Sequence, residues 1–140
     1  MILVDTSVIV AWLDRTHEDH RACAGALEHW AGQEQLAVSS VTYAELAAGG
    51  RTRQAVDEDL QDFQRMELDF EAGWRAGQAF GRTYPAAKDR KPVLPDFLIR
   101  AQAAALNCRH LTNDRRRLRA FPEVDYIFPD SATSGKGVTH

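Results

Sequence analysis

The sequence lacks the features that mark membrane and secreted proteins. Its longest unbroken apolar run, Val8 to Leu13, has 6 residues, far below the roughly 18 that a membrane-spanning helix needs. Only 2 cysteines occur and they lie far apart in the chain, which excludes a disulfide framework. No positively charged segment precedes the first apolar residues, as a signal peptide requires. These absences predict a cytoplasmic protein with no membrane partner.

What is present is typical of one compact domain, since 44% of the 140 residues are hydrophobic and 26% are charged. The charge is uneven: residues 1–70 carry 5 Lys and Arg against 13 Asp and Glu, and residues 71–140 carry 12 against 7. Such asymmetry favours a nucleic-acid surface in the basic half, with a solvated charged face as the alternative. The predicted phosphate contacts are Lys88, Arg90, Lys91, Arg115 and Arg116.

Short apolar stretches alternate with longer stretches of helical period, which predicts an α/β fold with a central parallel sheet of about five strands flanked by helices. The predicted strands are Ile2 to Val4, Leu36 to Ser39, Met66 to Leu68, His110 to Thr112 and Tyr126 to Phe128. The predicted helices are Ser7 to Leu13, His20 to Ala31, Val41 to Ala48, Arg53 to Arg65, Glu71 to Tyr84, Asp96 to Leu106 and Arg115 to Ala120.

One domain is expected over residues 1–129. Residues 130–140 contain almost no apolar side chain and are expected to form a flexible C-terminal tail, either native or added by cloning. The aromatic side chains at helical spacing are expected in the core; they are Trp12, Trp30, Trp74, Phe63, Phe70, Phe80 and Phe97.

Four carboxylates occupy corresponding places in this predicted order. Asp5 follows the first strand, Glu45 lies one turn into the helix after the second, Asp96 opens a helix behind Pro95, and Asp114 follows the fourth strand. Strand ends and the helix starts that follow them share one edge of a parallel sheet, where ligands bind. Singly, each acid suits a turn or a helix start. Together, crowded carboxylates repel one another and favour a hard cation such as Mg²⁺ or Mn²⁺.

The same acids lie in four segments whose order resembles a known family. The segments read MILVDTSV at 1–8, VTYAEL at 41–46, LPDFLI at 94–99 and LTND at 111–114. Over about residues 1 to 129 they resemble the PIN-domain ribonucleases, and among these the VapC-type toxins of bacterial toxin–antitoxin pairs. The chain departs from a common family pattern after the fourth acid, where Arg117-Leu118 stands in place of an Asp-Phe pair.

The resemblance implies an endoribonuclease in which Asp5, Glu45, Asp96 and Asp114 bind one or two Mg²⁺ or Mn²⁺ ions. A metal-activated water would then hydrolyse the phosphodiester, leaving 5′-phosphate and 3′-hydroxyl ends. The supporting hydroxyls, which orient a carboxylate or hold a metal-bound water, are Thr6, Ser7 and Thr112, and helix capping is the alternative role for them.

The implied partners are RNA, a VapB-like antitoxin whose segment lies in a groove beside the acids, and a second copy of the chain in a homodimer. The alternative function is a catalytically silent PIN-like module that binds RNA or protein without cutting. Two histidine features are interpreted as structural. The segment from His17 to His20 offers no third zinc ligand and is interpreted as a solvated polar segment around a helix start. His29 and His110 have no pairing that indicates catalysis.

Overall fold

A computed structural model describes residues 1–85 and 92–130. Its middle layer is a parallel sheet of five strands in the order β3-β2-β1-β4-β5. The strands are β1 (Ile2–Val4), β2 (Leu36–Ser39), β3 (Gln64–Met66), β4 (Arg109–Leu111) and β5 (Tyr126–Ile127). This architecture confirms the predicted α/β fold and parallel sheet.

In the part of the chain that the structure describes, six helices cover the two faces of the sheet. They are α1 (Thr6–Leu13), α2 (His20–Ala31), α3 (Ser40–Ala48), α4 (Arg53–Asp59), α5 (Phe70–Thr83) and α6 (Pro95–Leu106), with a short 3₁₀ turn at Leu118–Ala120. Within the described residues, no helix is both long and apolar enough to cross a membrane.

The central strand shows how the sequence builds three layers. Neighbouring side chains of a strand point to opposite faces of the sheet. Ile2 and Val4 therefore pack with α1, α2 and α4 on one face, while Leu3 packs with α5 and α6 on the other. All three side chains are fully buried, so β1 carries a continuous apolar run rather than an alternating one, as strands covered on both faces do.

The strand order places β1 and β4 at the switch point of the sheet, where the direction in which successive strands are added reverses. From β1 the chain continues to β2 and β3 on one side, and β4 and β5 lie on the other. The backbone N–H of Asp5 donates to the carbonyl of Leu111 at 2.8 Å, which joins the carboxyl ends of β1 and β4. Ligands of doubly wound sheets bind in the crevice at such a reversal.

Two predicted helices were wrong in extent. The helix predicted to reach Arg65 ends at Asp59, because Gln64–Met66 pair with β2 as an edge strand. The helix predicted from Arg115 is reduced to the turn at Leu118–Ala120. Arg117 adopts a left-handed backbone with φ 58°, a conformation that a right-handed helix cannot include.

The predicted aromatic core was partly wrong. Phe80 and Phe97 are buried, but Phe70 is 97% exposed and Trp74 is 67% exposed. Helical spacing groups residues by face without saying which face meets the sheet. In α5 the buried face consists of three alanines and Phe80, and the two exposed aromatics lie outside it.

Some predictions fall outside the described residues. They concern the phosphate contacts Lys88, Arg90 and Lys91 and residues 131–140 of the predicted tail. Asp130, the first residue of that tail, lies within the described residues and forms an ion pair with Arg115, with Oδ1 2.8 Å from Arg115 Nη2.

Candidate active site

The four predicted acids line one open cavity of about 750 Å³ at the carboxyl edge of the sheet. They come from four different parts of the fold. Asp5 caps α1, Glu45 lies in α3, Asp96 lies in the first turn of α6, and Asp114 follows β4. The topology therefore gathers residues that are up to 109 positions apart in the sequence.

Asp5 is the most enclosed of the four, with 4% of its surface exposed. Its Oδ2 accepts from the backbone N–H of Ser7 at 3.1 Å, from the Ser7 hydroxyl, and from Thr112 Oγ1 at 3.2 Å. Burial raises the pKa of Asp5, but His110 and the Ser7 hydrogen bonds outweigh that effect and lower the pKa to about 2. Asp5 is consequently ionised at neutral pH.

His110 is a buried partner of Asp5 that the sequence interpretation missed. Its Nδ1 lies 2.9 Å from the carbonyl oxygen of Leu3, and because a carbonyl only accepts, Nδ1 carries a proton. Its Nε2 faces Asp5 Oδ1 at 3.6 Å. The pairing arises from the β1–β4 register, which sets His110 beside Leu3. Only a prediction of which strands are neighbours could have revealed it.

Glu45 lies at the mouth of the cavity and interacts with α1. Its Oε1 accepts from Thr6 Oγ1 at 2.7 Å, and Thr6 lies 2.8 Å from the Thr42 hydroxyl. Thr6 therefore contacts Glu45 rather than Asp5. Partial burial raises the pKa of Glu45, the hydrogen bond from Thr6 opposes this, and the nearby charges of Asp5 and Asp96 raise it further. The acids are thus close enough to repel one another.

The other two acids are paired with arginines. Arg117 Nε and Nη2 each lie 3.0 Å from Asp96 Oδ2, and Arg116 forks onto both oxygens of Asp114 at 3.0 and 2.9 Å. The Arg116 hydrogen bonds lower the pKa of Asp114. The repulsion expected among the crowded carboxylates took no account of this pairing. The run of arginines directly after Asp114 was the signal that could have shown it.

The loop between α1 and α2 forms a further wall of the cavity. His17, Glu18 and Asp19 line it, and Asn113 joins this loop to the site: its side-chain amide donates to Asp19 Oδ2 at 3.0 Å, and its backbone N–H donates to Ser7 Oγ at 3.0 Å. A segment interpreted as a solvated helix start therefore borders the acidic cavity.

The donor set fits a hard divalent cation. All four side chains offer carboxylate oxygens, the ligands that Mg²⁺ and Mn²⁺ prefer, and the electrostatic crowding of Glu45 is of the kind that a cation relieves. Within residues 1–85 and 92–130, the structure contains no group of three or more His, Cys, Asp or Glu side chains that could hold a metal ion in their present positions. Guanidinium groups contact Asp96 and Asp114 instead, from Arg117 and Arg116.

A larger cavity lies elsewhere among the described residues. It measures about 830 Å³, is lined by parts of α2 and the start of β2, and shares no lining residue with the acidic cavity. Trp12, Leu27 and Phe63 form its apolar floor, with acidic side chains at its rim. Size alone therefore does not identify the functional site of this protein.

An α/β domain with acids gathered at the switch point of a parallel sheet is the class that fold and site define. The PIN domain family model matches residues 2–125, and the chain belongs to the PIN domain family. No curated protein matches its sequence.

Solved structures with the same fold share little sequence with the chain. VapBC-1 from nontypeable Haemophilus influenzae matches with a TM-score of 0.70 at 18% identity, covering 93% of this chain and 99% of the other. A toxin–antitoxin complex from Klebsiella pneumoniae gives 0.68 at 22%, covering 92% and 98%. VapBC2 from Rickettsia felis, bound to a DNA fragment from the promoter, gives 0.65 at 20%, covering 91% and 98%.

Proposed function

We propose that this protein is a Mg²⁺- or Mn²⁺-dependent endoribonuclease whose metal is held by Asp5, Glu45, Asp96 and Asp114. The observation that carries the proposal is the convergence of these four acids on one cavity at the switch point of the sheet. Membership in the PIN domain family supports it. A bound divalent ion supplies Lewis acidity and a water that is readily deprotonated at neutral pH.

The side chains divide the work according to their surroundings. Asp5, ionised and fixed by Ser7, Thr112 and His110, is the rigid ligand. Glu45 is more accessible and has a raised pKa, which suits it to accept a proton from the attacking water through the carboxylate oxygen that Thr6 does not contact. Asp96 and Asp114 complete the ligand set once Arg117 and Arg116, respectively, move aside.

RNA is held through its phosphates by basic side chains near this cavity. Arg116 is the described candidate closest to the acids, and its side chain is 71% exposed. Arg115 is 57% exposed and lies over the Phe128 ring at 3.8 Å. Lys88, Arg90 and Lys91 are proposed from the sequence to extend this contact.

We further propose that the enzyme is the toxin of a toxin–antitoxin pair, acting in the cytoplasm as a homodimer until a VapB-like antitoxin covers it. Support comes from the solved structures of the same fold, which include toxin–antitoxin complexes. The acidic cavity also extends along α1, where Val10 is 43% exposed. An antitoxin segment lying there would carry a basic side chain to the acids.

Cleavage of total cellular RNA tests the nuclease proposal. The wild-type protein, free of antitoxin, is compared with Asp96→Asn and with the control Asp62→Asn, whose side chain lines the other cavity. Each protein is assayed with Mg²⁺, with Mn²⁺ and with EDTA. We expect discrete metal-dependent cuts by the wild type and Asp62→Asn, and a loss of at least about 100-fold in Asp96→Asn.

Absence of cutting by folded, metal-loaded wild type would contradict the nuclease proposal. Binding of RNA without cutting, measured by gel shift, would then favour the silent binding module. Pairing of Asp96 and Asp114 with arginines is the observation on the side of that alternative.

A further inference from the structure

Arg100 is the largest fully buried side chain among the described residues, with 1% of its surface exposed. It lies on α6, one turn after Asp96, and points towards the loop that follows β4. Its Nη1 lies 3.3 Å from Asp96 Oδ2 and donates to the carbonyl oxygen of Arg116 at 2.6 Å. Its Nη2 donates to the carbonyl oxygen of Asp114 at 2.9 Å.

These contacts join two elements that each supply a candidate metal ligand. Asp96 belongs to α6, whereas Asp114 belongs to segment 112–118, where Thr112 still donates to the carbonyl of Ile127 but residues 113–117 form no helix or strand. The two carbonyls that Arg100 holds flank Arg115, and the left-handed Arg117 follows directly. One guanidinium thus fixes the backbone of segment 112–118 against the helix that carries Asp96.

Arg100 differs from Arg117, the other arginine on Asp96. The Arg117 side chain is 23% exposed and contacts the carboxylate from the cavity side, where an incoming cation competes with it. Arg100 is enclosed, and two of its three partners are backbone carbonyls. Displacement of Arg117 from Asp96 therefore leaves the hold of Arg100 on the segment intact.

The burial of this charge needs an explanation other than stability. A buried ion pair is often no more stabilising than apolar side chains of similar volume, because desolvation offsets the attraction. Within the described residues Arg100 Nε also has no hydrogen-bond partner, which adds to the cost of burying it. What the guanidinium achieves, and an apolar side chain would not, is one fixed arrangement of segment 112–118.

We propose that Arg100 is a positioning residue of the candidate metal site, which sets Asp114 relative to Asp96 for joint binding of a divalent cation. The part of this proposal that concerns metal binding rests on the proposed function. The effect of Arg100 on the backbone of segment 112–118 does not depend on the proposed function.

The test compares wild type with Arg100→Met, which keeps an unbranched stem and removes the guanidinium with its donors, and Arg100→Lys, which keeps the charge and one donor group. Val56→Ala is the control, because it removes buried volume from α4, whose residues do not line the acidic cavity. Mn²⁺ affinity is measured by isothermal titration. Amide hydrogen exchange is measured without metal, at residues 114–120 and along α6.

We expect Arg100→Met to weaken Mn²⁺ binding by about tenfold, the lower end of losses seen when residues that orient ligands are replaced. Its amides at 114–120 should exchange faster while those of α6 keep their protection, and Arg100→Lys should restore part of both. Val56→Ala should lower the melting temperature and leave Mn²⁺ affinity unchanged.

Unchanged exchange at 114–120, or unchanged Mn²⁺ affinity in Arg100→Met, would overturn the positioning role. A wild type that binds no Mn²⁺ would overturn it together with the metal site. A wild type that binds Mn²⁺ with the expected dependence on Arg100 but cuts no RNA would contradict only the proposed nuclease function, so the two failures are distinguishable.

Discussion

Asp5 is a buried carboxylate whose partners, rather than its exposure, keep it charged. Crowding of acids alone predicts that Asp5→Asn relieves repulsion and leaves folding intact or slightly stabilised. The structure adds His110 on the buried side at 3.6 Å, and an amide in place of the carboxylate removes the negative partner of that imidazole. Asp5 is therefore a stabilising charge as well as a candidate ligand.

This pairing predicts the acid stability of the metal-free protein. The pKa of Asp5 is about 2, below its ordinary 3.8, so its stabilising contribution is complete above pH 3.8 and is lost as the pH falls through about 2. The shift corresponds to about 2 kcal/mol. We expect wild type to lose about that much more unfolding free energy than Asp5→Asn over this range, measured by urea unfolding.

The control for this prediction is Asp62→Asn, which should follow the wild-type pH curve because its carboxylate is exposed and lies far from His110. Parallel curves for wild type and Asp5→Asn would show that the pairing of Asp5 contributes nothing to acid stability.

Arg116 illustrates competition between an internal and an external cation. It forks onto Asp114 from an exposed position, where solvent screening leaves an ion pair little net stabilisation. Arg116→Ala should therefore tighten Mn²⁺ binding about three- to fivefold in isothermal titration, and weaken RNA binding by removing a phosphate contact.

Arg115→Ala serves as the matched control, since Arg115 pairs with Asp130 rather than with a cavity acid. It should leave Mn²⁺ affinity as in wild type. Weaker Mn²⁺ binding in Arg116→Ala would mean that Arg116 orients Asp114 for the metal instead of competing with it.

At the scale of elements, most of the fold could be predicted because its signals are local. Helix α2 lies within the predicted bounds, and β1 and β2 match their apolar runs. The failures depend on tertiary contacts. Segment 115–120 is rich in arginines, which favour a helix, but Arg100 donates hydrogen bonds to the carbonyls of Asp114 and Arg116. Arg100 belongs to another helix, so no local sequence pattern contains this contact.

Substitution of two glycines by alanine is predicted to change the free energy of unfolding in opposite directions. Gly50 follows α3 with φ +85°, a conformation that costs L side chains about 1 kcal/mol or more. Gly77 lies exposed inside α5 with open space around it. Gly50→Ala should destabilise the protein by about 1 kcal/mol, and Gly77→Ala should stabilise it by about 0.5–1 kcal/mol, both measured by urea unfolding.

Each variant serves as the control for the other, since both make the same chemical change. A stabilised Gly50→Ala would show that the chain after α3 readily adopts another backbone conformation. A destabilised Gly77→Ala would indicate that the exposed face of α5 is covered in solution. Phe70 and Trp74 are also exposed on α5, so this result would bear on the proposed homodimer.

At the scale of the molecule, the uneven charge acquires a structural meaning. The acidic first half supplies Asp5 and Glu45, and the basic second half supplies Asp96 and Asp114 together with the arginines that hold them. Arg100 and Arg117 therefore pair with Asp96 rather than contribute to a general nucleic-acid surface. Composition could show the asymmetry, but only the fold shows which charges meet.

The convergence of the four acids was predictable for the same reason that their partners were not. Parallel topology brings strand ends and helix starts to one edge whatever the side chains are. Whether each acid faces a hydroxyl, an imidazole or a guanidinium depends on strand neighbours and loop conformation, as Asp5 with His110 and Asp114 with Arg116 show. The positions of the acids follow from the fold class, and their electrostatics follow from the packing.

Anomalous scattering of Mn²⁺ in crystals of the protein would locate the divalent metal directly. We expect a peak in the acidic cavity, with carboxylate oxygens of Asp5 and Asp96 at about 2.1 Å and the Arg117 side chain turned away from Asp96. Ordered density for all four acids with Arg117 still on Asp96 and no peak at saturating Mn²⁺ would contradict a divalent metal site at this edge of the sheet.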